Sequence, residues 1–257
     1  MSDNLPAIGR RISAGVVVIG DEVLSGKVVD RNSPVIVAAM SEHGIALGEM
    51  AVLADDFHRI AEVVADYAAR FELVVTTGGI GPTHDDCTWR AVAQALGEPI
   101  VLRTDLLVRM EQHNRGPLTA EQQRMAMLPA RATLLEEGPA FIAHIDHIWV
   151  LPGVPSMVSR AAAWICARHA GPRPWLATVY MTIDEWLAVS QIDTIVSAFP
   201  DLTVGSYPEF DSPDHRLRLT FEGHDKGRIE AAVQAQLAAL GTEHLVRVDW
   251  RAGNVTS

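Results

Sequence analysis

An α/β fold, a doubly wound and mostly parallel sheet followed by a smaller ferredoxin-like α+β domain, is predicted by three features of the sequence. Valine-rich apolar runs alternate with helical patterns through the first part of the chain. Glycine and acidic residues cluster where those runs end, and a break at Gly171-Pro-Arg-Pro174 precedes a new order of strands and helices. The two predicted domains span 8–172 and 173–250.

The run Ser13–Gly20 is continuously apolar, as a strand buried on both faces requires. A helix follows through Val35, Ile36, Ala38, Ala39 and Met40, with Asn32 or Ser33 as its N-cap, Pro34 in its first turn and Gly44 as its stop. Ile45–Leu53 is a second strand. Asp55-Asp56 then open a helix whose inward face is Ile60, Val63, Val64 and Tyr67. A third strand, Glu72–Thr77, ends in Gly78-Gly-Ile-Gly-Pro82, and a helix from about Thr88 stops at Gly97. This βαβαβα order places the ligand crevice beyond the carboxyl ends of the strands. From about Asp105 to Leu128 the pattern is helical but polar and broken at Gly116-Pro117, which predicts two short helices or a lid-like excursion. His147–Leu151 forms a further strand, closed by Pro152-Gly-Val-Pro155 and followed by a helix over Val158–Ala170. Beyond the break, strands at 177–183, 202–206, 216–221 and 244–248 and helices at 186–199 and 227–240 give βαββαβ. Trp175 and Trp186 are expected to be buried between the two units.

The 257 residues carry 21 Lys+Arg against 32 Asp+Glu, a formal charge of -11, which opposes binding to nucleic acid or an anionic membrane surface. No signal peptide is expected in Met1–Arg11, nor any run of ~18 uncharged apolar residues. Cys87 and Cys166 are too few for a disulfide framework or a cysteine-rich zinc site, leaving at most one bridge. A cytoplasmic protein is the expectation.

Thr76–Thr88 holds the most chemistry. Gly78, Gly79 and Gly81 let backbone amides approach an anion, and the following helix adds partial positive charge at its amino end. Yet Asp85 and Asp86 stand in the same turn, where they serve either as helix caps or as ligands of a divalent cation that bridges carboxylate and phosphate oxygens. A second cluster, Gly20–Ser33, follows the first strand; in it Asp21, Ser25, Asp30 and Asn32 meet ligand hydroxyls or a cation, or act as loop and capping residues. Five residues separate Gly20 from Gly26 and Val28 follows Lys27, so this is no Walker phosphate loop. There is no GxGxxG after a strand and no G-x-S-x-G elbow. His144 and His147 are too closely spaced for a helical metal pair. Met110, Met125 and Met127 suit packing, and Cys87 is either a small packing residue or a thiol with its pKa lowered at a helix start.

Gly20-Asp-Glu-Val-Leu-Ser-Gly26 with Asp30 and Asn32-Ser33, Thr76-Thr-Gly-Gly-Ile-Gly-Pro-Thr-His-Asp-Asp86 with Thr88, and Leu151-Pro-Gly-Val-Pro155 together resemble the molybdopterin-binding-like domain of the MoaB/Mog and CinA superfamily over about residues 12–170. The unit beyond it, with Val204-Gly-Ser-Tyr-Pro208, resembles the subdomain appended in CinA-type proteins and in the amino-terminal half of eukaryotic FAD synthases. Thr83-His-Asp-Asp86 and Arg124-Met-Ala-Met-Leu-Pro129 are closer to the FAD-synthase type, while Glu136-Glu-Gly-Pro-Ala140 and Met157 depart from the CinA pattern.

The resemblance implies a metal-dependent nucleotide pyrophosphatase acting on a dinucleotide such as FAD or ADP-ribose, with magnesium, manganese or cobalt as cofactor. Asp86 and Asp55 are its implied metal and catalytic residues, Asp85 a third metal candidate, and His84 a proton-transfer or phosphate-contacting residue. Gly78, Gly79, Gly81, Thr83, Lys27 and Thr88 are expected on phosphate, and Asp21, Ser25, Asp30, Asn32, Pro152 and Gly153 on the rest of the ligand. The alternatives are a noncatalytic module that binds a pterin or nucleotide, and adenylyl transfer to molybdopterin. Self-association as a dimer or trimer is a further expectation from the resemblance.

Overall fold

The computed structural model describes residues 11–135 and 142–254. The segment Glu136–Ala140 and the residues before Arg11, on which parts of the sequence reading rest, lie outside the described residues. The chain forms two compact units, Arg11–Gly171 and one beginning at Pro172.

In the first unit the chain runs β1 (Ser13–Ile19), α1 (Asp21–Leu24), α2 (Asn32–Glu42), β2 (Ala46–Leu53), α3 (Phe57–Arg70), β3 (Leu73–Thr77) and α4 (Thr88–Leu96). It continues through β4 (Ile100–Leu102), α5 (Thr104–Asn114), α6 (Ala120–Gln123), a 3-10 turn at Arg124–Ala126, β5 (Met127–Pro129), β6 (Thr133–Leu134), β7 (Ala143–Ile145), β8 (Ile148–Leu151) and α7 (Pro155–Arg168). The main sheet has the order β2-β1-β3-β8-β7-β6; its first four strands are parallel, and β7 runs antiparallel to both β8 and β6.

Alternate residues of the central strands build two cores. Val17, Ile19 and Val74 face Ile60, Val64 and Tyr67 of α3 and Ala91 and Val92 of α4. Val16, Val18 and Val75 face Ile36 and Met40 of α2 and Val158 and Ile165 of α7. This two-sided burial is why β1 and β3 read as unbroken apolar runs. The edge strand β2 carries a bulge: Ala14 pairs with Leu47 but Gly15 with Glu49, leaving Gly48 extra. The ring of Phe71 lies against Gly15 and Gly48, and a Cβ at either position would come within 2.6 Å of it.

The stretch 105–128 holds two helices broken at Gly116-Pro117, the first of the two expected forms: α5, of 11 residues, whose C-cap Arg115 takes the left-handed conformation at φ 56°, and the single turn α6. Neither β4 nor β5 was expected; they pair antiparallel as a separate two-stranded sheet beside α4. Each has three residues, too few for a period to show.

The second unit runs β9 (Trp175–Met181), α8 (Glu185–Ala198), β10 (Thr203–Pro208), β11 (Leu217–Gly223), α9 (Lys226–Leu240) and β12 (Leu245–Arg251). Its antiparallel sheet, order β10-β11-β9-β12, is the ferredoxin-like arrangement that βαββαβ predicts. Strict alternation in β9 and β11 sends Ala177, Val179, Met181, Leu217, Leu219 and Phe221 inward against α8 and α9. Trp186 does not follow its expected burial. It is 74% exposed, because α8 turns Ala188, Ile192 and Ile195 inward and leaves Trp186 outside. Among the described residues no helix is long and apolar enough to cross a membrane.

Candidate functional site

The sheet order grows outward from β1 on one side and β3 on the other, so the crevice beyond their carboxyl ends lies at a topological switch point. Gly78 and Gly79 turn the chain there. Gly78 has φ 102° and passes so close to the Ile19 carbonyl that a Cβ would collide with it; Gly79 has φ 64°. The amide of Gly78 donates to Leu151 O at 3.1 Å, continuing the β3–β8 ladder. Of the expected phosphate donors, Gly78 therefore supplies the bend rather than an N–H. The N–H groups of Gly79, Ile80 and Gly81 make no hydrogen bond among the described residues. Thr88 is fully buried and donates its hydroxyl to Gly78 O at 2.8 Å, so it braces the turn.

Two carboxylates border this turn. Asp55, just beyond β2, lies with Oδ1 against Gly79, where a Cβ would be 3.3 Å away. Its Oδ2 accepts from Asp21 N at 3.0 Å, and Asp21 Oδ1 accepts in return from Asp55 N at 3.3 Å, tying the loops after β1 and β2 together. Burial raises the Asp55 pKa, and the charges of Asp21, Glu22 and Asp85 raise it further against the lowering bond from Asp21 N. Asp86 faces Gly81, 2.7 Å from where a Cβ would stand, and accepts from Thr83 N at 2.8 Å and from the Thr83 hydroxyl. Hydrogen bonds from Thr83 and from backbone amides hold the exposed Asp85 below the usual carboxylate range. The His84 side chain is exposed. Asp56 caps α3, accepting from His58 N and Arg59 N.

The turn separates two depressions. One, of about 90 Å³, lies among Asp30, Asn32, Thr77, Gly78, Gly153 and Pro155. There Asn32 Nδ2 donates to Thr77 Oγ1 at 3.1 Å and to Gly153 O at 3.0 Å, while the Thr77 hydroxyl donates to Pro152 O at 2.9 Å. The Asn32 side-chain oxygen is buried with no hydrogen-bond partner. Pro152 and Gly153 thus reach this depression through their carbonyls. Asp30 takes the capping role that Asn32 and Ser33 were expected to fill, accepting from the amides of both and from the Ser33 hydroxyl. Ser25 donates to Glu22 O at 3.4 Å, and Lys27 stands exposed on the loop after α1, away from both depressions.

The larger cleft, about 280 Å³, lies among Gly79, Gly81, Thr83, His84 and Asp86 and the side chains of Trp89, Arg90 and Arg124. Arg90 and Arg124 were not among the expected site residues. Arg124 stands on the 3-10 turn before β5, an element without a sequence period, and Arg90 on an otherwise apolar helix.

Cys87 and Cys166 are free and buried. Cys87 is not activated by its helix: burial, with the charge of Asp55, pushes its thiol up, and burial lifts Cys166 to about 12. His144 Nδ1 donates to Asp146 O and His147 Nε2 to Ala68 O, consistent with structural roles. Met110, on α5, is buried in the core, whereas Met127 lines the larger cleft.

An open α/β sheet with a glycine turn at its switch point defines a small-ligand-binding domain of the doubly wound class. Residues 15–171 match the family model described as a probable molybdopterin binding domain, and residues 174–249 match the FAD synthase middle domain. The chain belongs to the molybdopterin-binding-domain family, joined to a unit of the FAD-synthase type. A CinA-like protein of Geobacter metallireducens is 30% identical over 88% of this chain and 58% of its own length. A probable FAD synthase of Caenorhabditis elegans is 25% identical over 95% of this chain and 53% of its own. The chain thus spans little more than half the length of these relatives. The crystal structure of the protein CinA from Thermoplasma acidophilum superposes with a TM-score of 0.57 at 25% identity, covering 62% of this chain and 98% of that one.

Proposed function

We propose that the protein is a metal-dependent pyrophosphatase that splits a dinucleotide of the FAD or ADP-ribose type in a cytoplasmic setting. The observation that carries the reading is the crowding of Asp21, Glu22, Asp55 and Asp85 around a turn whose amides at Gly79–Gly81 are open to an anion. Amides aimed at phosphate beside carboxylates of the same sign as phosphate make sense together when a cation lies between them.

Among the described residues no three His, Cys, Asp or Glu side chains gather into a cage for a metal ion. A hard cation of the magnesium kind needs only one or two carboxylates and completes its shell with water and substrate phosphate. Asp55 is the stronger ligand candidate, since one oxygen faces the turn while the other is fixed by Asp21 N; Asp86, already accepting from Thr83, keeps its second oxygen for the role. When bound, the ion would neutralise charge developing on phosphorus oxygens.

The remaining work falls to the chain itself. The Gly79–Gly81 amides hold phosphate oxygens in a fixed array, which costs no reorganisation as charge builds. Thr88 and Thr77 keep that array in place from below. The unpaired Asn32 oxygen accepts from a ligand hydroxyl or amine in the smaller depression. His84, exposed at the rim of the cleft, is placed to exchange a proton with solvent.

Incubation with FAD, ADP-ribose and ATP, with and without divalent metal, and identification of the phosphorus-containing products tests this. AMP release from FAD or ADP-ribose that requires metal, with a fall of ~10²-fold in Asp86→Asn, is the expected result. Tight binding of nucleotide or molybdopterin without turnover would replace it with a noncatalytic module, which the same Asn32 acceptor would serve. Pyrophosphate release from ATP in the presence of molybdopterin would replace it with adenylyl transfer.

A further inference from the structure

The geometry points to Arg90 and Arg124 as a paired anion clamp, one that seats the phosphate-bearing end of one half of the ligand in the larger cleft. This rests on the reading of the site as a phosphoanhydride site, but it concerns binding rather than turnover.

Several arginines of this acidic chain are matched. Arg59, Arg70, Arg103, Arg131, Arg228 and Arg247 each meet a carboxylate within 2.6–3.1 Å. Arg90 and Arg124 form no ion pair or hydrogen bond among the described residues, although they come from separate elements, α4 and the turn before β5, to line one cleft. The guanidinium of Arg90 lies 5.9 Å from the centre of the Phe57 ring. Two unmatched guanidinium groups facing open N–H groups at Gly79–Gly81 leave the cleft attractive to an anion, despite a net charge of -11 on the chain. The titratable groups near the cleft are few: Asp86 is occupied by Thr83, His84 stands at the rim, and the exposed Glu121 on α6 feels the charge of Arg124 without forming an ion pair with it among the described residues.

Size and polarity narrow the occupant. The cleft of about 280 Å³ is large enough for a phosphorylated fragment, one half of a dinucleotide. Ile80, Trp89, Ile100 and Met127 give the cleft an apolar side for a flat ring or a sugar face. The chemical class is a nucleoside phosphate or a similar ring-bearing phosphate, its anionic end on the two arginines and its other phosphate at the glycine turn. The partner half then crosses the turn towards Asn32.

Calorimetric titration with inorganic pyrophosphate and with ADP-ribose tests the clamp in the whole chain. Arg90→Gln and Arg124→Gln are each expected to weaken both ligands ~5–10-fold, and the double variant ~30-fold or more with a shallower salt dependence. Arg160→Gln, exposed on α7 outside both depressions, should leave binding unchanged. The clamp is overturned if the parent protein does not bind pyrophosphate, if the double variant binds as the parent does, or if Arg160→Gln weakens binding equally. Circular dichroism confirms that each variant is folded. Binding through the arginines without hydrolysis of any dinucleotide would remove the pyrophosphatase and keep the clamp; hydrolysis undiminished in the double variant would do the reverse.

Discussion

The two units treat charge in opposite ways. In the ferredoxin-like unit the exposed charges find partners nearby: Arg228 with Asp201 at 2.7 Å, Arg247 with Asp214 at 2.8 Å and Asp249 at 3.3 Å, Arg218 with Glu209 at 3.4 Å. In the α/β unit the end of the sheet gathers carboxylates beside one another, and Arg90 and Arg124 line one cleft there without an ion pair among the described residues. Topology explains the contrast. Antiparallel strands send successive connections to opposite ends of the sheet, whereas parallel strands bring every carboxyl end, with its loop and its open amides, to one edge.

Four substitutions sharpen or break that contrast. The largest effect is expected from Gly78→Ala, where a methyl group would strike the Ile19 carbonyl at a backbone angle of φ 102°. A loss of about 3 kcal/mol or more in chemical denaturation is expected, because backbone on both sides fixes the clash. Parent-like stability would mean that the turn relaxes freely and is not a rigid array.

Next comes Thr88→Val, which keeps the shape but leaves the buried Gly78 carbonyl without its donor. A cost of about 1–3 kcal/mol is expected, together with weaker pyrophosphate binding from a loosened turn. Loss of stability without loss of binding would detach the brace from the site.

Asp55→Asn should act in the opposite direction. Its pKa is raised in the folded state, so the ionised carboxylate opposes folding, and stability falls as pH rises from the unfolded value near 3.8 through the raised one. In chelator, the variant should therefore melt higher than the parent at pH 7, and the gap should close as pH falls below that window. Catalysis should be lost in the same protein. A variant less stable at neutral pH would show that the bond from Asp21 N outweighs the repulsion.

The smallest effect belongs to Arg228→Ala in the second unit, an exposed ion pair with Asp201. Its melting temperature should move by no more than about 2 °C, with binding and turnover unchanged. A change in nucleotide affinity would make the second unit part of the site.

The alternation of strands and helices was legible because buried parallel strands need unbroken apolar runs, as in Ser13–Ile19 and Leu73–Thr77. The glycine turn and the acidic residues beside it were legible for a related reason: their residue types are unusual at the end of such a run. What escaped notice depends on contacts distant in sequence. Nothing local reveals that the Gly78 amide is already paired or that Arg124 approaches the same cleft as Arg90, whereas the cap of α2 by Asp30, two residues before Asn32, is a local contact that was open to the sequence. Nor do the three-residue strands β4 and β5, which carry Arg124 into place, announce themselves by any period.

The ring of Phe71 across Gly15 and Gly48 pins the register of the β1–β2 pair. Sliding β2 by a single position would bring Leu47 or Glu49 beneath the aromatic face, where a Cβ comes within 2.6 Å of the ring, so the slipped pairing is disfavoured. The loops that carry Asp21 and Asp55 hang from these two strands. A register set at one end of the sheet thereby bears on whether the acidic residues at the other end meet.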